Sequence, residues 1–111
     1  MVMEILNHPR YCISDDGIVY RKETSGLFKL SPDFSNGYAR VDLDGKKEYV
    51  GKLVLETFDP TIESNMKVFY IDGDRTNNHL DNLTWLSASG VQLYSRYTIE
   101  YRKATLSRGA R

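Results

Sequence analysis

The sequence predicts an α+β domain in which β-hairpins come first, a short helix and a strand-loop segment form the middle, and a helix closes the chain. Three observations predict it. Residues Tyr38 to Leu43 alternate apolar and polar and meet Lys47 to Val50 across Asp44-Gly45, a dipeptide that accepts the positive φ angles of a tight hairpin turn. Leu53, Val54 and Phe58 share one helical face just ahead of Pro60, which ends the helix. Leu93, Tyr94, Tyr97 and Tyr101 form a stripe at helical spacing in a helix from about Ser89. With 111 residues and 41% hydrophobic content, the chain suits one core and leaves little room for a second.

The remaining elements follow in order. Tyr11-Cys12-Ile13 and Ile18-Val19-Tyr20 flank the turn formers Ser14 to Gly17, which reads as a first hairpin. Residues 22 to 36 read as loop. After the helix over Lys52 to Phe58 and a loop from Asp59 to Asn65, the β-prone run Met66 to Ile71 ends at Asp72-Gly73-Asp74. A polar loop through Asn77, Asn78 and His79 then enters a helical turn ending near Leu83, ahead of Trp85-Leu86. There are no repeats, low-complexity stretches or linkers.

Charge narrows the function classes. Fifteen basic and fifteen acidic residues cancel, so the whole chain lacks the strong positive charge that unspecific DNA binding favours. The charge is nonetheless unevenly placed: residues 89 to 111 carry Arg96, Arg102, Lys103, Arg108 and Arg111 against Glu100, a net of +4, which leaves −4 for residues 1 to 88. That tail is either a contact for an anionic partner or a solvated helix end. One cysteine, Cys12, excludes an internal disulfide and a multi-cysteine zinc site, and reads as a buried thiol. The apolar run at Met1 to Leu6 is too short for a signal peptide and contains Glu4, so the chain reads as soluble and cytoplasmic. The sequon at Asn82-Leu83-Thr84 then carries no meaning.

The segment Val68-Phe69-Tyr70-Ile71-Asp72-Gly73-Asp74-Arg75-Thr76-Asn77-Asn78-His79-Leu80-Asp81-Asn82-Leu83-Thr84-Trp85 resembles the HNH motif of phage homing endonucleases, where His-x-Asp-Gly precedes Asn-Asn and Asn-Leu-x-Trp. Tyr11 to Val19 is similar to the Tyr-x-Ile-Ser-x-x-Gly-x-Val element, NUMOD4-like, that often precedes that motif. The segments Gly37 to Leu43, Val50 to Phe58 and Ser87 to Tyr94 match the connecting parts, so the resemblance spans roughly residues 5 to 100. It implies a single domain with a β-rich part over 1–50, a ββα-metal core over 51–88, and a C-terminal helix with a basic tail over 89–111. It also implies a phage or prophage origin and the cytoplasm of the host cell.

In the family, a histidine at the strand end deprotonates water, the residue before it and a helix asparagine hold one divalent metal, and another asparagine braces the loop. The metal stabilises charge on the phosphate. By resemblance Asn82 is the helix asparagine, and Asn77 or Asn78 the brace. The departures fall on the working positions. Tyr70 stands at the general base, and a phenol with an ordinary pKa of about 10 stays protonated at neutral pH. Phe69 stands at a ligand position and offers no lone pair to a hard cation. Gly51 replaces a histidine of the Val-His-x-Leu-Val segment. The expectation is a degenerate site with no catalytic residues, no metal and no cofactor. Mg²⁺ enters only in an alternative in which His79, three residues before Asn82, joins a displaced site and metal-dependent nicking survives. Asp72-x-Asp74-x-Thr76 begins like a calcium loop, but Asn77 replaces its glycine and Leu83 its bidentate glutamate, which excludes that reading.

A scaffold without cutting chemistry implies binding. For DNA, the candidates are Arg96, Arg102 and Lys103 with Lys46, Lys47 and Lys52, and Tyr94, Tyr97 and Tyr101 are either base-stacking or packing residues. For a host protein, as an inhibitor would bind, the candidate surface is an aromatic patch of Phe69 and Tyr70. No membrane and no small-molecule substrate is implied.

Overall fold

The computed structural model describes residues 1–60, 66–87 and 92–93. Four antiparallel strands open the chain: β1 (Val2–Ile5), β2 (His8–Ser14), β3 (Val19–Glu23) and β4 (Gly26–Lys29), paired in that order. A two-stranded sheet follows, β5 (Arg40–Leu43) with β6 (Lys46–Tyr49). Helix α1 (Val50–Phe58) comes next, and β7 (Lys67–Tyr70), β8 (Leu83–Leu86) and β9 (Gln92–Leu93) form a three-stranded sheet.

The hairpins expected at Ser14 to Gly17 and at Asp44-Gly45 are both present. At the second, Asp44 and Gly45 have φ of 55° and 86°, the pair of positive angles that a two-residue turn between twisted strands demands. Residues 22 to 36, expected as loop, instead contain the end of β3 and all of β4, with Lys22 opposite Leu27 and Glu23 opposite Gly26. Every residue of β4 is exposed, so it is held by backbone pairing and by the Arg21 guanidinium 4.8 Å over the Phe28 ring, and no inward-facing alternation announces it.

Helix α1 starts two residues earlier than expected, at Val50, whose N–H reaches the Ala39 carbonyl at 3.0 Å. It buries Val50, Leu53, Val54, Leu55 and Phe58. These pack with Ile5, Ile13, Val41, Leu43, Leu80, Leu83 and Trp85, so all three sheets share one core. Each such side chain contributes roughly 1.5–3 kcal/mol by leaving water. Asp59 closes the helix, its N–H bonded to the Leu55 carbonyl at 2.8 Å, while its own carbonyl accepts the Trp85 indole N–H at 2.6 Å.

Two expected helices differ. The turn between Asn77 and Leu83 is a single 3₁₀ turn, Leu80–Asn82, running directly into β8. The helix expected from Ser89 is contradicted at Gln92–Leu93, which pair as strand β9 with Leu86 and Trp85. Pairing to an open edge of β8 overrides the local helical spacing there. The rest of that expected helix, with Tyr94, Tyr97, Tyr101 and the basic tail, lies outside the described residues. Among the described residues, no helix is long and apolar enough to cross a membrane.

Candidate functional site

The loop between β7 and β8 carries the motif, and its geometry follows from the side chains that fold it. Asp72 Oδ1 accepts the Asp74 N–H at 2.8 Å, and Asp72 Oδ2 accepts from Asn77 Nδ2 at 2.8 Å. Asp74 Oδ1 in turn receives the Thr76 N–H at 3.0 Å and its hydroxyl at 2.7 Å. The hydrogen bond from Asn77 and the backbone N–H of Asp74 hold the Asp72 carboxyl below its ordinary pKa. Both aspartates are therefore occupied in shaping the loop.

Asn82 is the central brace. Its Nδ2 donates to Asp72 Oδ1 and to the Asn77 carbonyl, both at 2.9 Å, and its Oδ1 accepts the Asp72 N–H at 2.9 Å. It sits on the 3₁₀ turn rather than on a helix, with both amide protons and its carbonyl engaged inside the loop. The ligand role expected by resemblance thus meets a side chain already used as a strut. Asn77 braces the same loop through Asp72.

Asn78 does something the sequence did not announce. It is buried, and its Oδ1 accepts the Tyr70 hydroxyl at 3.0 Å. A Cβ added to Gly51 would lie 2.5 Å from the Tyr70 Oη and 2.9 Å from Asn78 Oδ1. A Cβ on Gly17 would lie 2.9 Å from both Asn78 Cβ and its carbonyl oxygen, and Gly17 has φ of +87° besides. The loop, α1 and the β2–β3 turn therefore converge on Asn78, and the Leu80 N–H to Asp15 carbonyl bond at 2.8 Å fixes that junction.

Tyr70 thus occupies the space above Gly51. Burial, with Tyr38 beside it, pushes its phenol up to about 12, so even less of it is deprotonated at neutral pH than of free tyrosine. Phe69 is half-buried on β7, and strand alternation sends it to the opposite face from Tyr70. The expected aromatic patch of Phe69 and Tyr70 is accordingly not one surface. Instead Tyr70 joins Tyr38 (centroids 6.2 Å apart), which meets Tyr49 edge to face at 5.7 Å and carries the Arg75 guanidinium 4.9 Å from its ring centre.

Lys46 and Lys47 are partly neutralised, by Glu48 at 3.8 Å and Asp33 at 3.7 Å. Lys52 lines a cleft of about 410 Å³ together with Lys67, Tyr38, Tyr49, Tyr70 and Trp85. Lys67 and Tyr49 were not foreseen, because membership of this cleft depends on contacts between β6, α1 and β7. Arg96, Arg102 and Lys103 lie outside the described residues. His79 stands on the far end of the loop with Nδ1 2.7 Å from Asp81 Oδ1. Cys12 is buried and free. Among the described residues no group of three or more His, Cys, Asp or Glu side chains converges on a point. The donor set at the motif is a protonated phenol, a phenyl ring and an engaged amide, which does not fit a hard divalent cation.

Residues 48–93 match the family model of HNH endonuclease. Over its full length the chain aligns with a solved structure of the HNH homing endonuclease I-HmuI, reported for DNA binding and cleavage by that enzyme. The TM-score is 0.68 and the identity 27% over 60% of that chain. The fold is that of an HNH homing endonuclease-like chain, as the motif resemblance implied. The protein spans 60% of the length of the solved structure it matches. No curated protein matches it.

Proposed function

We propose that this chain is an HNH homing endonuclease-like protein that binds DNA without cutting it, and that it is encoded by a phage or prophage. One observation carries the reading: at the general-base position the Tyr70 hydroxyl donates to Asn78 at 3.0 Å and lies over Gly51. With a phenol at about 12, roughly one molecule in 10⁵ holds the base form at neutral pH. Water activation fails for want of an acceptor, and metal activation fails for want of donors. The DNA partner is supported by the likeness to I-HmuI, whose structure concerns DNA binding.

The test is plasmid nicking with Mg²⁺, Mn²⁺ and Zn²⁺ in parallel. Wild type should leave the plasmid supercoiled while shifting labelled duplex in a salt-dependent manner. A Phe69→Asp/Tyr70→His variant, alone and with Gly51→His, is the restoration arm. Cutting only there would tie the loss to these positions.

One contact favours a second reading. The His79 Nδ1 contact with Asp81 Oδ1 at 2.7 Å orients an imidazole as a base is oriented, and among the described residues no group bonds its Nε2. If wild type nicks and His79→Ala abolishes it, the displaced site is real and the first reading is wrong.

A further inference from the structure

The cleft beside Tyr70 belongs to no step of a cutting reaction as the side chains stand. Tyr38, Tyr49, Tyr70 and Trp85 form its aromatic wall, and Lys52 and Lys67 line it beside the apolar Met66 and Val68. We propose that this cleft is a nucleotide-stacking site, in which one unpaired base of single-stranded nucleic acid lies against the tyrosines while Lys52 and Lys67 take the flanking phosphates. The proposal rests on the DNA-binding reading and specifies where a strand would be held.

Among the described lysines, Lys29 on β4, Lys52 and Lys67 lack a carboxylate partner, and only Lys52 and Lys67 lie together, at this cleft. Lys22, Lys46 and Lys47 are each within ion-pair distance of a carboxylate, at 2.6, 3.8 and 3.7 Å. Lys52 and Lys67 have no such partner among the described residues, so their charge is free to meet an anion. Arg75, also without a carboxylate partner among the described residues, lies over Tyr38 at 4.9 Å and adds to the same field.

Ring geometry points the same way. Tyr38 and Tyr49 meet at 88°, so one ring of the pair keeps both faces clear of the other. Tyr49 is 43% exposed although it sits beside three other aromatics. An exposed aromatic next to unpaired cations is the arrangement that takes a base and its backbone together, without regard to base identity. The volume of about 410 Å³ falls in the range, about 300–1,000 Å³, of clefts that hold a small organic group. A paired base inside a duplex is shielded by its partner strand and its stacked neighbours, so only an unpaired one reaches such a cleft.

The chain supplies its own reporter, since Trp85 is its single tryptophan and lines the cleft. The full chain is titrated with fluorescein-labelled oligo-dT of about twelve nucleotides and with a duplex of equal length, reading Trp85 emission and probe anisotropy together. Oligo-dT should quench Trp85 saturably. Tyr49→Ala, at an exposed position, should weaken that binding roughly 5- to 150-fold, the loss of one base stack. Lys52→Gln/Lys67→Gln should weaken it and flatten its salt dependence, while Lys29→Gln on the distant β4 should leave it unchanged. Anisotropy changes with Trp85 silent and Tyr49→Ala neutral would overturn the cleft assignment while leaving DNA binding intact. If neither probe binds, the DNA reading itself falls and the cleft assignment with it, as it would if the cleft accepted a protein side chain instead.

Discussion

At residue scale, the contact between Tyr70, Asn78 and Gly51 gives the strongest prediction. Gly51→Ala places a methyl 2.5 Å from the Tyr70 oxygen, and such overpacking costs about 1–3 kcal/mol. Tyr70→Phe removes that oxygen but leaves the buried Asn78 carbonyl without its donor, a loss of about 1–3 kcal/mol. The double variant should cost less than the sum, with a coupling of about 0.5–3 kcal/mol in urea unfolding. Additivity would mean the two residues do not touch. The titration of Tyr70 supplies a second check. Its folded pKa of about 12 lies above the unfolded value of about 10, so the folded state holds the proton more tightly. The resulting stability is fully present below pH 10 and is lost as pH rises toward 12, and Tyr70→Phe should remove that share of the alkaline decline. Each departure at positions 51, 69 and 70 was legible alone, as a residue type unfit for its expected role. That 51 and 70 answer one another was not legible, because nineteen positions separate them in sequence and only the packing of α1 on β7 brings them together.

At the scale of elements, the turns were legible and the edges were not. Asp44-Gly45 declared its hairpin through two positive φ angles that few residue pairs tolerate. Strand β1, with three of four residues exposed, and β4, wholly exposed, lacked the alternation that marks a half-buried strand. Strand β9 carried a helical spacing that β8 overrode. A pair of glycines tests how firmly the first hairpin docks on the motif loop. Gly17 and Gly45 share nearly the same φ, 87° and 86°, so alanine meets the same backbone strain at both. Around Gly45 nothing lies within 4 Å, whereas Gly17 abuts the Asn78 backbone at 2.9 Å. Gly17→Ala should therefore lower stability by about 1–3 kcal/mol more than Gly45→Ala. Equal losses in thermal or urea unfolding would show that the hairpin merely rests near the loop.

At the scale of the whole molecule, charge segregation governs any encounter with a polyanion. Residues 1 to 88 sum to −4 and residues 89 to 111 to +4, so a neutral chain still presents two signs. If Arg96, Arg102 and Lys103 meet phosphates, replacing all three by glutamine should reduce the slope of log affinity against log salt on duplex DNA, by about 0.9 for each phosphate no longer neutralised. An unchanged slope would assign them to solvation. Length and hydrophobic content led to the expectation of one core, but not of three sheets around it. The partition of cations was not foreseen, because ion pairing of Lys46 and Lys47, and its absence among the described residues at Lys52 and Lys67, depends on which strands fold side by side.

The close approach at Gly51 also gives the chain a direction in evolutionary time. A histidine arising at 51 while Tyr70 remains must drive its Cβ into the phenol, whereas a histidine arising first at 70 vacates the phenol's place. A path that ends with histidine at both positions is therefore easier through 70 first, with only Asn78 Oδ1, 2.9 Å from the new Cβ, left to give way. The opposite order runs through an intermediate that packs badly, so this small contact sets the sequence in which the two positions can change.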